Sequence, residues 1–382
     1  MKQQLVLRVL ADAMKWDDEE APREFAWLRL MSRLKYDTYQ GYQAGVRFIE
    51  SLVVWIHQFP RNERRTAYET VKQKLIFVSA NELRHLIGQM YTREVEPYLV
   101  ARASKHFNVP PYLIWTNATI SKWIQDARRR TLFMGLSDGA RIDILRRANV
   151  GRISNEQVVL APIIDHDKWR DLQKELKRDL PSDPNPKFDC VWVIDDLTAS
   201  GTTLIRSKEV SDEVTGAKKI EWKGKLCKLR TAIWDARSKL GKEFPLAEQF
   251  DLCVHHYLAT QDALDKAKEL SEMARSSHGA SDWFGEVRFS RGLILSNDVK
   301  LKAPDDAFID LANRYYDASI EDRHTEESGQ RDVRLGYKGC ALPLILEHNT
   351  PNNSIALFWA DSTGSKGHRM RPLFRRRTRH HA

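Results

Sequence analysis

The hydrophobic positions in the first hundred residues follow helical periodicity. Phe48, Ile49, Leu52, Val53 and Ile56 recur with a period near 3.6 residues. This spacing predicts a helix with a single apolar face.

A second helix is predicted to begin near residue 79. Ser79 is followed three residues later by Glu82, which is a capping-box pattern, and apolar residues on one side follow at Leu83, Leu86, Ile87 and Met90. Pro97 is expected just past the end of this helix. The Pro110–Pro111 pair predicts a boundary, because neither residue can donate a backbone hydrogen bond.

Beyond the proline pair the pattern changes to short apolar runs, most of them separated by twenty or more polar or helix-like residues. Runs of this length that are apolar on both faces are typical of buried parallel strands. They lie at Leu132–Leu136, Val158–Ile164, Cys190–Ile194, Leu229–Ile233 and Leu252–Leu258. The prediction is an α/β fold with an open, mainly parallel sheet and ligands at the carboxyl ends of its strands.

The last third of the chain mixes helical and strand patterns. A helix is expected at Asp262–Ala274, a strand at Val287–Leu295 and a helix at Pro304–Tyr316, and two further apolar runs follow at 341–346 and 355–359. These patterns predict four parts along the chain: an N-terminal helical region (1–110), the α/β core (111–260), a C-terminal α+β extension (261–361) and a basic tail (362–382).

Composition narrows the class of protein. With 42% hydrophobic and 30% charged residues, a folded chain is expected. No apolar run approaches the roughly 18 to 20 residues that cross a bilayer, and no clean signal peptide is visible, so we expect a cytoplasmic protein without a membrane partner. The four cysteines form no CxxC pair, which argues against a zinc site or a disulfide framework.

The net charge of +9 is concentrated at the C-terminus. Seven Lys and Arg residues and no acidic residue follow Ser362, so the other 361 residues carry only +2. The tail, which reads RMRPLFRRRTRHH over residues 369–381, suits a nucleic-acid backbone or an acidic protein partner, and a solvated tail without a partner is the alternative.

The segment VWVIDDLTASGTTL, residues 191–204, has the most specific chemistry in the chain. Four apolar residues predict a buried strand, and Asp195 and Asp196 follow them. A loop of small residues then precedes a helix-compatible run from Leu204, so its amides are predicted to form an anion-binding nest at a helix N-terminus. The loop consists of Ala199, Ser200, Gly201, Thr202 and Thr203.

This segment suits a 5-phosphorylated ribose, because the loop can hold the phosphate while the carboxylates accept hydrogen bonds from the sugar hydroxyls. A Walker A loop would require GxxxxGK[ST] and a Rossmann loop GxGxxG, and neither is present. An ordinary strand–turn–helix is the structural alternative.

The segment resembles the signature of type I phosphoribosyltransferases, and the positions that match are Asp195, Asp196, Ser200, Gly201 and Thr203. The resemblance implies that the paired acids hold the ribose hydroxyls and that the loop backbone holds the 5-phosphate. It also implies phosphoribosyl pyrophosphate as substrate, with Mg²⁺ held through the pyrophosphate and by no direct protein ligand.

A pyrophosphate loop after an earlier strand is also part of this family pattern. Its counterpart in TLFMGLSDGAR is Gly135, Ser137, Asp138, Gly139 and Arg141. Arg141 would neutralise a diphosphate, and a surface turn is the alternative. The segment 146–159 resembles the mobile flap of such enzymes, in which Arg146, Arg147, Arg152, Glu156 and Gln157 are candidate ligand contacts.

Several strings resemble a narrower group, the phosphoribosyltransferase-like domains of bacterial conflict and anti-phage operons. They are RLKYDTYQGY, LIFVSANELRHL, SDGARID and YKGCALPLILEHNTPNNS. This resemblance implies an effector or sensor in defence, with a partner protein from the same operon. The expected activity is transfer or hydrolysis of the phosphoribosyl group, and the alternative is a catalytically silent nucleotide sensor.

Two polar clusters lie outside this pattern. Residues 347–353 hold Glu347, His348, Asn349, Asn352 and Asn353, which suit either a nuclease motif or, more simply, a structural turn or a rim of the ligand site. His255 and His256 end a predicted strand, where core histidines are favoured over a ligand contact.

Overall fold

The structure, a computed structural model, describes residues 2–160, 164–211, 218–278, 283–302, 306–321 and 330–376. The chain forms two compact units. The helical unit comprises Met1–Leu83 with Ser296–Ala382, and the sheet unit comprises Arg84–Leu295.

The sheet unit is built on five parallel strands in the order β3-β2-β4-β7-β8. Their bounds are β2 Thr131–Gly135, β3 Val158–Leu160, β4 Phe188–Thr198, β7 Leu246–Thr260 and β8 Val287–Leu295. The predicted open, mainly parallel sheet is therefore confirmed. Of the run predicted at 158–164, residues 161–163 lie outside the described residues.

Helices cover both faces of this sheet, which explains why its strands are apolar on both sides. Val191 and Val193 pack with Trp169 and Ile233 on one face. Trp192 points the other way, and its ring lies 5.9 Å from that of Tyr98. The helices are α5 Ala80–Met90, α6 Glu96–Phe107, α7 Ala118–Arg129, α8 Ile142–Ala148, α9 His166–Asp179, α10 Lys225–Leu240 and α11 Gln261–His278.

Three local predictions in this unit are wrong. Leu229–Ile233 is part of α10 instead of a strand, because its buried residues recur at helical spacing. The run from Leu204 does not begin a helix: an antiparallel hairpin follows, formed by β5 Arg206–Ser211 and β6 Lys218–Lys223. Pro97 lies in the first turn of α6, where proline is tolerated, and a π-helical turn at Tyr91–Val95 joins α5 to α6.

The helical unit packs around a short parallel strand pair, β1 Ile76–Val78 with β9 Leu344–Leu346. Its helices are α1 Lys2–Met14, α2 Glu20–Leu34, α3 Phe48–His57, α4 Arg64–Gln73, α12 Ala307–Arg314 and α13 Ala356–Trp359. The predicted helix at 48–56 is confirmed, and so is the capping box, since the Ser79 amide donates to Glu82 at 2.8 Å. The apolar run at 355–359 forms α13 and no strand.

The basic C-terminal segment belongs partly to the core of the helical unit. Met370, Leu373 and Phe374 are buried, and the Phe374 ring stacks on Phe48 with centroids 5.6 Å apart. A solvated tail from residue 362 is therefore wrong for the described residues up to 376. Three apolar anchors within a basic segment are enough to hold it in place.

The compact units divide the chain after Leu83 and Leu295, whereas the sequence patterns predicted divisions at 110, 260 and 361. The reason is that both chain ends contribute to one aromatic core, so the helical unit is discontinuous in sequence. Among the described residues, every helix is too short or too polar to span a bilayer.

Candidate functional site

The predicted site residues gather where strands β2 and β4 approach their carboxyl ends. Gly135, the last residue of β2, pairs with Ile194 of β4, and Asp195 pairs with His256 of β7. Strand β4 continues through Thr198, so the two aspartates lie within the sheet and the loop 199–203 follows it. The turn 137–140 and the acidic pair therefore share one edge of the sheet.

Asp195 is enclosed by protein groups. The residue as a whole is only 3% exposed to solvent. The Ser137 hydroxyl donates to Oδ1 at 2.5 Å, and the Lys225 ammonium donates to Oδ2. Burial and the neighbouring Asp196 raise the pKa of Asp195 above its ordinary value, while Lys225 and Ser137 oppose that rise. Both oxygens of this carboxylate are thus engaged within the chain.

Asp196 projects from the opposite face of β4, because successive strand residues alternate. It is half-buried, and its Oδ1 accepts from the Leu197 amide at 2.8 Å. A Cβ added at Gly139 would lie 2.4 Å from Asp196 Oδ2, so a larger residue at this point of the turn would displace the Asp196 side chain. The Tyr257 hydroxyl donates to the Ala140 carbonyl at 2.9 Å and holds the turn against the strand.

The loop 199–203 is fixed by its neighbours and offers free donors. Gly201 is buried at φ +73°, and a Cβ there would lie 2.5 Å from the Ala263 carbonyl oxygen. Thr260 donates its hydroxyl to the Ala199 carbonyl at 2.9 Å. Among the described residues, the amides of 200–203 have no hydrogen-bond acceptor. Unpaired backbone amides in a turn of small residues are donors of the kind that bind anions.

The helix expected directly after this loop is displaced along the chain. The hairpin occupies 206–223, and α10 begins only after Gly224, which has φ +125°. The Lys225 amide then donates to the Thr203 carbonyl at 3.2 Å, and the Leu226 amide to the Leu204 carbonyl at 3.0 Å. The predicted helix N-terminus at Leu204 is therefore wrong. The loop lies instead against the first turn of α11.

The second predicted loop lies around a short 3₁₀ turn, Asp138–Ala140. Arg141 follows it in the left-handed conformation at φ +42°, which is uncommon for a residue other than glycine, and it caps α8. Ser137 and Gly139 touch the acidic pair directly. Ligand contacts of Asp138 and Arg141 stay predictions.

Residues of the predicted flap mostly bind within the protein. Gln157 is buried and donates to the carbonyls of Arg128 at 2.6 Å and Thr131 at 2.8 Å, so its expected ligand contact is wrong. Arg146 donates to the side chain of Asn155, and Arg152 lies over the Tyr91 ring at 5.5 Å. Arg147 faces Asp143 at 3.8 Å, and for Glu156 ligand contact stays a prediction.

Lys225 contacts Asp195 and was not predicted from the sequence. It lies far from the motif along the chain, and a helix beginning at 204 gives no indication that the start of α10 returns to the loop. His256, next to Asp195 in register, is 1% exposed and its Nδ1 has no partner among the described residues. Burial chiefly, with the Lys225 charge, lowers the pKa of His256 to about 3, so the imidazole is neutral.

The cluster at 347–353 forms a packed turn in the helical unit. Glu347 is 1% exposed, its carbonyl accepts from the Gln40 amide at 2.9 Å, and its amide donates to Val78 at 2.9 Å. The Asn353 amide group donates to the Tyr337 carbonyl at 3.3 Å. These contacts favour the structural turn over the nuclease motif. Across the described ranges, no three His, Cys, Asp or Glu side chains are grouped to hold a metal.

Comparison with known proteins agrees with the arrangement of the sheet unit. No curated protein and no solved structure is significantly similar to the chain. The family model PRTase-CE, which describes a phosphoribosyltransferase-like family, matches residues 52–376. This span covers most of the chain, including both loops of the site. The chain therefore belongs to the PRTase-CE family.

Proposed function

We propose that the chain binds phosphoribosyl pyrophosphate, or a closely related 5-phosphorylated ribose, at the loop 199–203. One observation carries the proposal: the four amides of 200–203, which have no acceptor among the described residues, begin four residues after Asp196, whose carboxylate is half-buried. The amides and the hydroxyls of Ser200 and Thr202 suit a phosphate. Asp196 suits the ribose diol, because a carboxylate accepts hydrogen bonds from two adjacent hydroxyls.

The reaction that fits this site is phosphoribosyl transfer or hydrolysis. The bond between ribose C1 and the pyrophosphate oxygen breaks, and its electron pair leaves with pyrophosphate. A nitrogenous base or water then forms the new bond at C1 and loses its proton to solvent. The site would act by orientation and charge, with Arg141 beside the pyrophosphate, and no side chain is required as a nucleophile.

The residues present fit a divalent cation that arrives with the pyrophosphate. Across the described ranges no three His, Cys, Asp or Glu side chains are grouped to hold a metal, so the ion would be held through the pyrophosphate and by no direct protein ligand. When bound, Mg²⁺ would supply neutralisation of the pyrophosphate charge.

The experiment is a calorimetric titration of the full chain with phosphoribosyl pyrophosphate and Mg²⁺, followed by product analysis. We expect Asp196→Asn to weaken binding about a hundredfold, because a charge-assisted contact to the ribose is lost. Asp235→Asn, an exposed carboxylate on α10, is the control and should bind normally. Equal affinity of the Asp196 variant and the unmodified chain would refute the proposal.

A catalytically silent sensor is the alternative within the same proposal. It predicts tight binding without release of pyrophosphate, together with a partner complex that forms only when ligand is bound. Measuring pyrophosphate release at saturating ligand separates the two, because a sensor gives none above the Asp196→Asn background.

The narrower resemblance motivates a role in anti-phage defence. If the site serves defence, Asp196→Asn should abolish protection of a bacterial host against phage, whereas Asp235→Asn should preserve it. Plaque counts with each variant measure this, and equal protection by both variants would separate the site from defence.

An open pocket in the helical unit favours a nucleic-acid partner as a second proposal, because two arginines line it and no acidic residue does. Its volume is about 490 Å³, and it is lined by Val53, Val54, His57, Gln58, His368, Arg369 and Arg371. Replacing both arginines by Glu should weaken single-stranded DNA binding and lower the salt slope by about one for each lost phosphate contact. Deleting 362–382 is a poorer test, since it removes buried core residues. Unchanged DNA affinity in the double Glu variant would reject this partner.

A further inference from the structure

We propose that Lys225 is a further ligand-binding residue, whose ammonium contacts the 5-phosphate of the sugar phosphate at the loop 199–203. This inference rests on the proposed function, because it adds a residue to the same site. The supporting observation is that Lys225 forms a backbone hydrogen bond to the loop and a side-chain hydrogen bond to Asp195 of the acidic pair.

The backbone of Lys225 is tied to the phosphate loop. Its amide donates to the Thr203 carbonyl at 3.2 Å, and the next amide, of Leu226, donates to Leu204 at 3.0 Å. These two bonds hold the start of α10 beside the last residues of the loop. Although 21 residues lie between Thr203 and Lys225, their backbones are direct neighbours.

The side chain of Lys225 reaches the acidic pair from that position. Its ammonium donates to Asp195 Oδ2, and the side chain is 28% exposed while that of Asp195 is 5% exposed. An ammonium has three N–H donors. Asp195 is the one partner of this ammonium among the described residues. Lys225 therefore keeps donors on a side that solvent or a ligand reaches.

Charge explains why a phosphate needs this cation. Asp195 and Asp196 are adjacent, and an anionic ligand at the neighbouring loop is repelled by both. The loop amides supply dipoles but no full positive charge. The Lys225 ammonium halves the formal charge of the acidic pair and can bind the phosphate without leaving Asp195. It would bridge the two parts of the site.

The alternative to a ligand contact is a narrower role, in which Lys225 only neutralises the Asp195 carboxylate. The two roles differ in one measurable way. If Lys225 acts only through the Asp195 carboxylate, its replacement has no effect once Asp195 is already Asn. If it contacts the ligand, the replacement still weakens binding in that background.

The test is a double-mutant cycle in the full chain. The variants are Lys225→Gln, Asp195→Asn and the pair together, titrated with phosphoribosyl pyrophosphate, with ribose 5-phosphate and with inorganic pyrophosphate. Lys228→Gln, an exposed lysine one turn along α10, is the matched control. The paired variant leaves no unbalanced buried charge, so it provides a folded background even if Lys225→Gln alone is unstable.

We expect Lys225→Gln to raise the Kd for ribose 5-phosphate about ten- to a hundredfold, and still about tenfold in the Asp195→Asn background. Affinity for inorganic pyrophosphate should change less, because that group lies at the other loop, and Lys228→Gln should stay within about twofold.

Each contrary outcome has a separate meaning. If the Lys225→Gln effect vanishes in the Asp195→Asn background, the ligand contact is overturned and the narrower role stands. Normal binding by Lys225→Gln overturns this inference alone. If the unmodified chain binds none of the three probes, both this inference and the proposed function fall.

Discussion

Each of the two compact units places an acidic residue at or near the carboxyl end of a parallel strand. In the sheet unit, Asp195 and Asp196 lie near the end of β4. The loop that follows has a left-handed glycine, and its amides at 200–203 have no acceptor in the part of the chain that the structure describes. In the helical unit, Glu347 follows β9 directly, and the chain uses both its amide and its carbonyl in backbone hydrogen bonds. The two acids therefore differ in the loop that follows: in the sheet unit its amides have no acceptor among the described residues, and in the helical unit the backbone groups of the acid are used within the chain.

The largest effect is expected from a substitution in the aromatic core of the helical unit, the unit that contains Glu347. Phe374→Ala should lower the free energy of unfolding by about 3–5 kcal/mol, because this buried ring contacts several aromatic side chains of the helical unit. Leu5→Ala, at a side chain that is 64% exposed, should change it by less than about 0.5 kcal/mol. Urea unfolding measures both, and similar values would contradict the packed segment.

Gly201→Ala tests the loop that distinguishes the sheet unit. A Cβ at Gly201 meets the Ala263 carbonyl oxygen at 2.5 Å, and the residue has a positive φ, so the loop must shift. We expect affinity for phosphoribosyl pyrophosphate to fall at least about tenfold, with a stability loss of about 1–3 kcal/mol.

Gly45→Ala is a matched control for Gly201→Ala. Its φ is +83° and no atom lies within 4 Å of the added Cβ, so it carries the backbone strain without the collision. Ligand affinity should be normal in this variant. Equal weakening by the two substitutions would show that strain alone, and no fitted loop, explains the loss.

A pH dependence of stability follows from the buried histidine beside Asp195. The pKa of His256 falls from 6.5 to about 3 in the folded chain, so the unfolded chain binds more protons between these values. Stability is therefore lost as the pH falls below about 6.5. At pH 5.5 this histidine should cost about 1.4 kcal/mol relative to neutral pH.

His256→Gln removes that contribution. Urea unfolding at pH 7 and at pH 5.5 should show a smaller difference between the two pH values for the variant. His255 is expected to keep its own share, since its pKa is also lowered to about 3. An identical pH difference in the variant and the unmodified chain would contradict a buried neutral His256.

The smallest effect is expected at Glu347, the acid of the helical unit. Glu347→Gln should leave affinity for phosphoribosyl pyrophosphate within about twofold, because that carboxylate belongs to a closed turn. The titration that serves for Asp196→Asn measures it. A tenfold or greater loss of affinity would show that the second acid also serves the ligand.

The sequence predicted the parts of the fold whose signals are local. Apolar runs identified β2, β4 and β7, and the small residues after Asp196 identified the loop. The start of α10 was not predictable in this way, because a hairpin separates it from the loop and the run Leu229–Ile233 is short enough to suit a strand. Lys225 was missed for the same reason.

The burial of Phe374 was equally hidden. A short apolar triplet within a basic segment has no periodicity, and its partners Tyr36 and Phe48 lie about 330 residues away in the aromatic core. Long-range packing of this kind leaves little trace in local composition.

The two ends of the hairpin at 206–223 lie close together, because the residues just after Gly224 form backbone hydrogen bonds to Thr203 and Leu204. The conformation of the loop 199–203 therefore does not depend on the hairpin. New amino and carboxyl termini, or a reporter domain, should be tolerated within the hairpin. If the loop binds a ligand, a fluorescent group placed in the hairpin should report that binding.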